Sequence, residues 1–168
     1  MARIKECVFC PETANLTGEH LWSAWIGKAL GPKRYTFTRR ERDGHVRRWR
    51  GDELDAKAKV VCGTCNSGWM SDLETASRSF LNDMVLHCSP TVLQPDQIKL
   101  LAALAFKNTI IADHMHDNRG PFFTLMERRR FAAKLIIPQG VQMWLASTAN
   151  QHGLFKSGYA ATPSGVGF

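Results

Sequence analysis

Two Cys-x-x-Cys pairs, Cys7/Cys10 and Cys62/Cys65, constrain this chain more than any other feature. Tetrahedral zinc takes four soft ligands, and each knuckle aims two sulfurs at one point. A site built from both pairs ties the first residues to the middle of the chain. The start, Met1-Ala-Arg-Ile-Lys-Glu, is polar and is followed by no apolar leader pattern. Thiolate–metal bonds therefore suit these cysteines better than disulfides. Cys88 is left single. At 168 residues the chain is long enough for one domain, or for a small domain with an extension. No apolar run is long enough to cross a bilayer, so a soluble, intracellular protein and no membrane partner are expected.

Residues 1–18 read as a short strand into the first pair, then a turn around Asn15, Thr17 and Gly18. Leu21, Trp22, Trp25, Ile26, Ala29 and Leu30 fall at helical spacing until Gly31-Pro32 stops them. Glu19 and His20 thus stand where strand or loop gives way to a short helix. The two Trp belong to the apolar stripe and read as core. Lys57–Val61 predicts a strand into the second knuckle. From Ser67 to His87, Trp69, Met70, Leu73, Ala76, Phe80, Leu81, Met84 and Val85 trace one helical face, with Asp72, Glu74 and Arg78 towards the other. Pro95 and Asp96 fit a helix first turn. Residues 98–111 are apolar nearly all round, which predicts a buried helix packed on the preceding one. Asp113, His114, His116 and Asp117 close it, and His there reads as a helix-dipole partner rather than a metal ligand. A third helix is expected over 122–136, a turn at Pro138-Gln139-Gly140 and a strand over 141–146. The domain division is placed at 1–88 and 89–168, the second part being a helical extension ending in short strands and carrying no chemical constellation. The class is α+β.

Residues 33–50 hold most of the charge. Lys33 and seven Arg face only Glu41 and Asp43, a net +6 of the chain's +7. Alternation on either side of Asp43-Gly44 predicts a hairpin with a two-residue type I′ turn. That register pairs Arg42 with His45, Arg40 with Arg47 and Thr38 with Trp49 on one face, and Glu41 with Val46 and Arg39 with Arg48 on the other. Both faces are basic near the tip. Like charges opposed across strands repel, and a polyanion relieves the repulsion. Arg39, Arg40, Arg42, Arg47, Arg48 and Arg50 are the candidate nucleic-acid contacts.

The order Cys-x-x-Cys, Glu19-His20, Cys-x-x-Cys-Asn66 resembles the HNH endonucleases of the ββα-metal class, in the zinc-stabilised treble-clef branch. Asn66-Ser67-Gly68-Trp69-Met70-Ser71, with Leu73-Glu74, resembles a phage and bacterial subgroup of them. The likeness covers residues 7–74. It implies a zinc-stapled ββα-metal core with the basic hairpin as an arm, and a structural zinc on Cys7, Cys10, Cys62 and Cys65. It further implies a catalytic Mg²⁺ or Mn²⁺ on Glu19 and Asn66, and His20 as general base. The partner implied is DNA, double-stranded, cleaved to a 5′-phosphate and a 3′-hydroxyl in a bacterial or phage-infected cytoplasm. The chemistry suits the residue types: His titrates near neutrality, and a hard ion prefers oxygen ligands.

Three positions depart from the pattern. Glu19 stands where the family commonly has Asp. No Asn precedes the second knuckle to tether the His loop, and Asp52 or Asp55 is the substitute on offer. Met70 occupies the place of a further His. Two other functions remain open: a zinc-dependent nucleic-acid-binding module without cleavage, and a protein-interaction zinc domain, which the arginine hairpin disfavours.

Overall fold

The computed structural model of the chain describes residues 6–40, 45–52, 54, 56–87, 89–115 and 121–145. Residues 6–15 form no strand; the first knuckle is irregular, and Asn15 leaves it through a left-handed backbone (φ 54°). Strand β1 (Leu16–His20) then pairs antiparallel with β4 (Lys57–Cys62). The register shifts between Thr17 and Gly18, a bulge that skips Val60. The Val60 carbonyl is used instead by the knuckle, accepting from Val8 N–H at 3.0 Å. Between these strands lie helix α1 (Ala24–Leu30) and the hairpin β2 (Tyr35–Arg40) and β3 (Val46–Gly51). After β4 the chain winds through a short helical turn α2 (Gly63–Cys65) and a π-helical turn (Asn66–Met70). Gly68 leaves the helical backbone there (φ −94°, ψ −120°), so the element kinks before α3 (Ser71–Leu86). Helices α4 (Pro95–Asp113) and α5 (Leu125–Lys134) follow, each opened by a reciprocal capping box: Gln94 with Gln97, and Thr124 with Glu127.

The expected boundary at residue 88 falls inside one unit. The chain divides instead into Met1–Ile137 and Pro138–Phe168. Apolar contact explains this. Helix α4 packs on α3, burying Ala103, Leu104, Phe106, Ile110 and Ile111, while α5 lays Phe131 against the first knuckle. Phe131 meets Phe9 at 6.5 Å, Trp69 at 5.7 Å and Phe106 at 4.8 Å, mostly edge to face. Residues in or just after the two cysteine knuckles and residues of both late helices therefore share one aromatic core. Trp22 and Trp25 are only half-buried, and α1 has no fully buried residue. In the second unit, Pro138-Gln139-Gly140 turns as expected, with Val141 N–H donating to Pro138 O and Gly140 at φ 88°. Residues 141–145 form no strand, and Ala146 lies outside the described residues.

The hairpin register is one residue off the two-residue turn. Arg40 pairs with Val46, Arg39 with Arg47, Thr38 with Arg48 and Phe37 with Trp49. Side-chain packing selects it, since a one-residue slip would send Phe37 and Trp49 to opposite faces. In this register the two rings stack at 5.3 Å with their planes 12° apart, and Tyr35 adjoins Phe37 at 6.3 Å. The tip with Arg42, Asp43 and Gly44 lies outside the described residues, as do Asp55, Cys88, His116 and Asp117.

His114 ends α4 as a tertiary tie. Its Nδ1–H donates to Ile110 O (2.8 Å), so Nε2 accepts from Arg128 Nη1 (3.2 Å). Arg128, itself buried, also donates to Val8 O (2.9 Å) and Phe123 O (3.2 Å). Burial, with the nearby guanidinium, holds the His114 pKa below its ordinary value of 6.5. A base kept neutral by folding contributes stability that is complete above the unfolded pKa and is lost as pH falls below it. Urea melts at about pH 7.5 and about pH 5.5 should therefore show a loss in the wild type that His114→Gln lacks. Equal losses in both proteins would remove His114 from this role.

Candidate metal centre and cleft

The four sulfurs converge. Ligand atoms of Cys7, Cys10, Cys62 and Cys65 all lie within 4.8 Å of one another, and Cys10 Sγ is 3.5 Å from Cys62 Sγ. Zinc–sulfur bonds of about 2.3 Å in a tetrahedron set sulfur–sulfur distances near ~3.8 Å, so the cluster fits a zinc ion. Backbone N–H groups already face these sulfurs: Cys62 N–H to Cys7 Sγ (3.3 Å) and Cys65 N–H to Cys62 Sγ (3.4 Å). Burial raises the pKa of the Cys10 and Cys65 thiols. Burial acts against the Cys62 thiolate too, but the Cys65 N–H and the neighbouring thiols outweigh it and lower that pKa. Binding a metal must expel the remaining thiol protons, so affinity falls in acid.

Beside the cluster lies a cleft of about 450 Å³, lined by Thr17, Glu19, His20, Asn66, Ser71 and Glu74 among others. The fold brings all three predicted chemical residues to it. Glu19 and His20 are the last residues of β1, and the pairing of β1 with β4 places them level with Ala58 and Lys57. Leu21 N–H donates to Ala56 O at 2.7 Å, so backbone pairing secures the His20 end of the strand without an Asn tether. Asp52 is exposed and its carbonyl accepts from Lys33 N–H at the base of the hairpin. Asn66 follows the last cysteine directly. Thr17 Oγ1 gives its hydrogen to Val61 O (3.0 Å), so it accepts from Asn66 Nδ2 (2.9 Å). The amide orientation is thereby set, so Oδ1 is the atom Asn66 could offer to a metal.

Glu19 has a partner that the sequence did not suggest. Its side chain is nearly buried, and Lys107 Nζ donates to its Oε1 at 2.7 Å. The same ammonium reaches Glu74 Oε1 at 2.6 Å, although Glu74 falls on the face of α3 expected to be polar and outward. Lys107 is fully buried on α4, inside the segment read as apolar all round and free of chemistry. A signal was present: of the two Lys in this helix, Lys107 stands among apolar residues that packing buries, and a buried Lys needs anionic partners. Nothing in the sequence said which carboxylates. Oxygen donors still fit a hard divalent ion here: Glu19 and Glu74 each have a second carboxylate oxygen, and Asn66 has Oδ1.

Of the arginines, Arg47, Arg48 and Arg50 are exposed along β3. No helix among the described residues is long and apolar enough to cross a membrane. No protein-family model, curated protein or solved structure matches the chain.

Elemental analysis should find one tightly held zinc per chain. Cys62→Ser should lose it and loosen the aromatic core around Phe9 and Phe131 as well as the β1–β4 pair, since metal binding and folding are coupled. Metal-free protein with native near-ultraviolet dichroism would overturn the assignment.

Proposed function

We propose that the protein is a metal-dependent endonuclease that hydrolyses DNA phosphodiester bonds, built on a zinc-stapled treble-clef ββα-metal core. One observation supports this reading most: Glu19, His20 and Asn66, drawn from a strand end and a helix mouth, line one cleft beside the four-sulfur cluster. In this reading Glu19 and Asn66 hold a Mg²⁺ or Mn²⁺ ion through oxygen. The ion, when bound, supplies positive charge for the phosphate oxygens and the departing 3′ oxygen. His20 takes the proton from the attacking water. The two-stranded arm brings Arg47, Arg48 and Arg50 to the DNA backbone, together with Arg39, Arg40 and Arg42. Double-stranded DNA in a bacterial or phage-infected cytoplasm is the substrate this reading implies.

A second reading, a nucleic-acid-binding module without cleavage, draws on the ammonium already paired with Glu19. Plasmid nicking with Mg²⁺ separates the two. His20→Ala should abolish nicking, with a loss of about 10²-fold or more, while zinc content and DNA retention stay near wild type. Equal rates for wild type and His20→Ala would exclude His20 as the base, and no nicking by the wild type would favour the second reading.

The arm tests the nucleic-acid assignment separately. Replacing Arg40, Arg42, Arg47 and Arg48 by Ala should weaken binding to every DNA sequence alike. The slope of log affinity against log salt should fall by up to about 0.9 for each lost phosphate contact. Substitutions of surface charges usually cost folding less than about 0.5 kcal/mol each. A salt titration with an unchanged slope would make the arm a solvated surface feature.

A further inference from the structure

Lys107 belongs to no part of the motif, yet it holds two of the carboxylates that line the cleft. Its side chain is 0% exposed, and it spends two of its three donors on Glu19 and Glu74, residues 88 and 33 positions away. A buried ion triad contributes little net stability compared with apolar packing. Its effect on the cleft is larger. Two carboxylates and an asparagine converging on one space make a good site for a hard divalent ion. The ammonium cancels one of the two negative charges, so the group carries a formal −1 instead of −2. It also engages one oxygen of each carboxylate, which fixes both side chains and leaves the second oxygen of each as a ligand atom.

We propose that Lys107 is a positioning residue and built-in counter-cation that keeps the cleft's divalent-ion affinity low, so that the ion is held firmly only when a phosphate completes its coordination. Glu74 is then a further ligand beside Glu19 and Asn66. The inference rests on reading the cleft as a divalent-ion site, but it is independent of cleavage. Metal and nucleic acid bind together in this scheme, and the free protein stays largely unloaded.

The test is a titration of the zinc-loaded protein with Mn²⁺ alone, read by electron paramagnetic resonance, without DNA. Glu74→Gln brings the triad to neutral and keeps an acceptor for Lys107, so Mn²⁺ affinity should fall about tenfold. Lys107→Met brings it to −2 and should raise affinity about tenfold or more. Lys107→Met leaves two carboxylates unpaired and risks misfolding. The double variant Lys107→Met/Glu74→Gln leaves a single carboxylate unpaired and reduces that risk. It should bind Mn²⁺ about tenfold more tightly than Glu74→Gln alone. A second titration of the wild type with a phosphorothioate oligonucleotide should show tighter Mn²⁺ binding than the protein alone. Equal affinities for Glu74→Gln and the double variant, or no Mn²⁺ binding by any variant, would overturn the inference. A wild type that binds Mn²⁺ in the expected order but fails to nick DNA would instead count against the nuclease reading only.

Discussion

Four sulfurs meeting at one point organise the rest of this molecule. The two knuckles are separated by more than fifty residues, and bringing Cys10 within 3.5 Å of Cys62 closes the whole intervening loop. Closure lays β1 alongside β4, because both strands adjoin the cluster. That pairing puts the Glu19-His20 end of one strand beside the cleft that Asn66 enters from the helix mouth. The bulge at Thr17/Gly18 is part of the same device, since the skipped Val60 carbonyl anchors the first knuckle through Val8. Sulfur cluster, bulge and cleft form one local system, and metal loading is expected to govern all three.

The late helices complete that system from behind. Phe131 and Arg128 of α5 cover the first knuckle, one through ring contacts and the other through the Val8 carbonyl. Lys107 of α4 holds the carboxylates of β1 and α3. A knuckle alone offers too little apolar surface to bury its own rings, so Phe9 and Trp69 are finished by residues that follow far along the chain. The basic arm differs from this: among the described residues β2 and β3 pair only with each other, and a stack of Phe37 on Trp49 sets their register. An isolated two-stranded hairpin is marginal in water, which makes the aromatic stack its chief internal support.

Much of the site was legible in the sequence. Cysteine spacing named the four thiols, because ligand chemistry and tetrahedral geometry leave few alternatives. Glu19, His20 and Asn66 were legible through their order relative to the knuckles, and the fold brings them to one cleft. The hairpin's existence followed from alternation and turn residues. Its register did not, because the Asp43-Gly44 signal describes local backbone preference while the Phe37–Trp49 stack depends on which side chains end up opposed.

Tertiary structure alone decided that Lys107 meets Glu19 and Glu74, that α4 and α5 share a core with the cysteine knuckles, and that residues 141–145 form no strand. These depend on contacts between positions far apart in sequence. Periodicity shows which face of a helix is apolar, but not which distant carboxylate a buried ammonium will find. Sequence therefore named the four thiols and the candidates Glu19, His20 and Asn66, whose chemistry is local to each residue. Charge balance in the cleft waited on the fold, because it is a property of residues that only packing brings together.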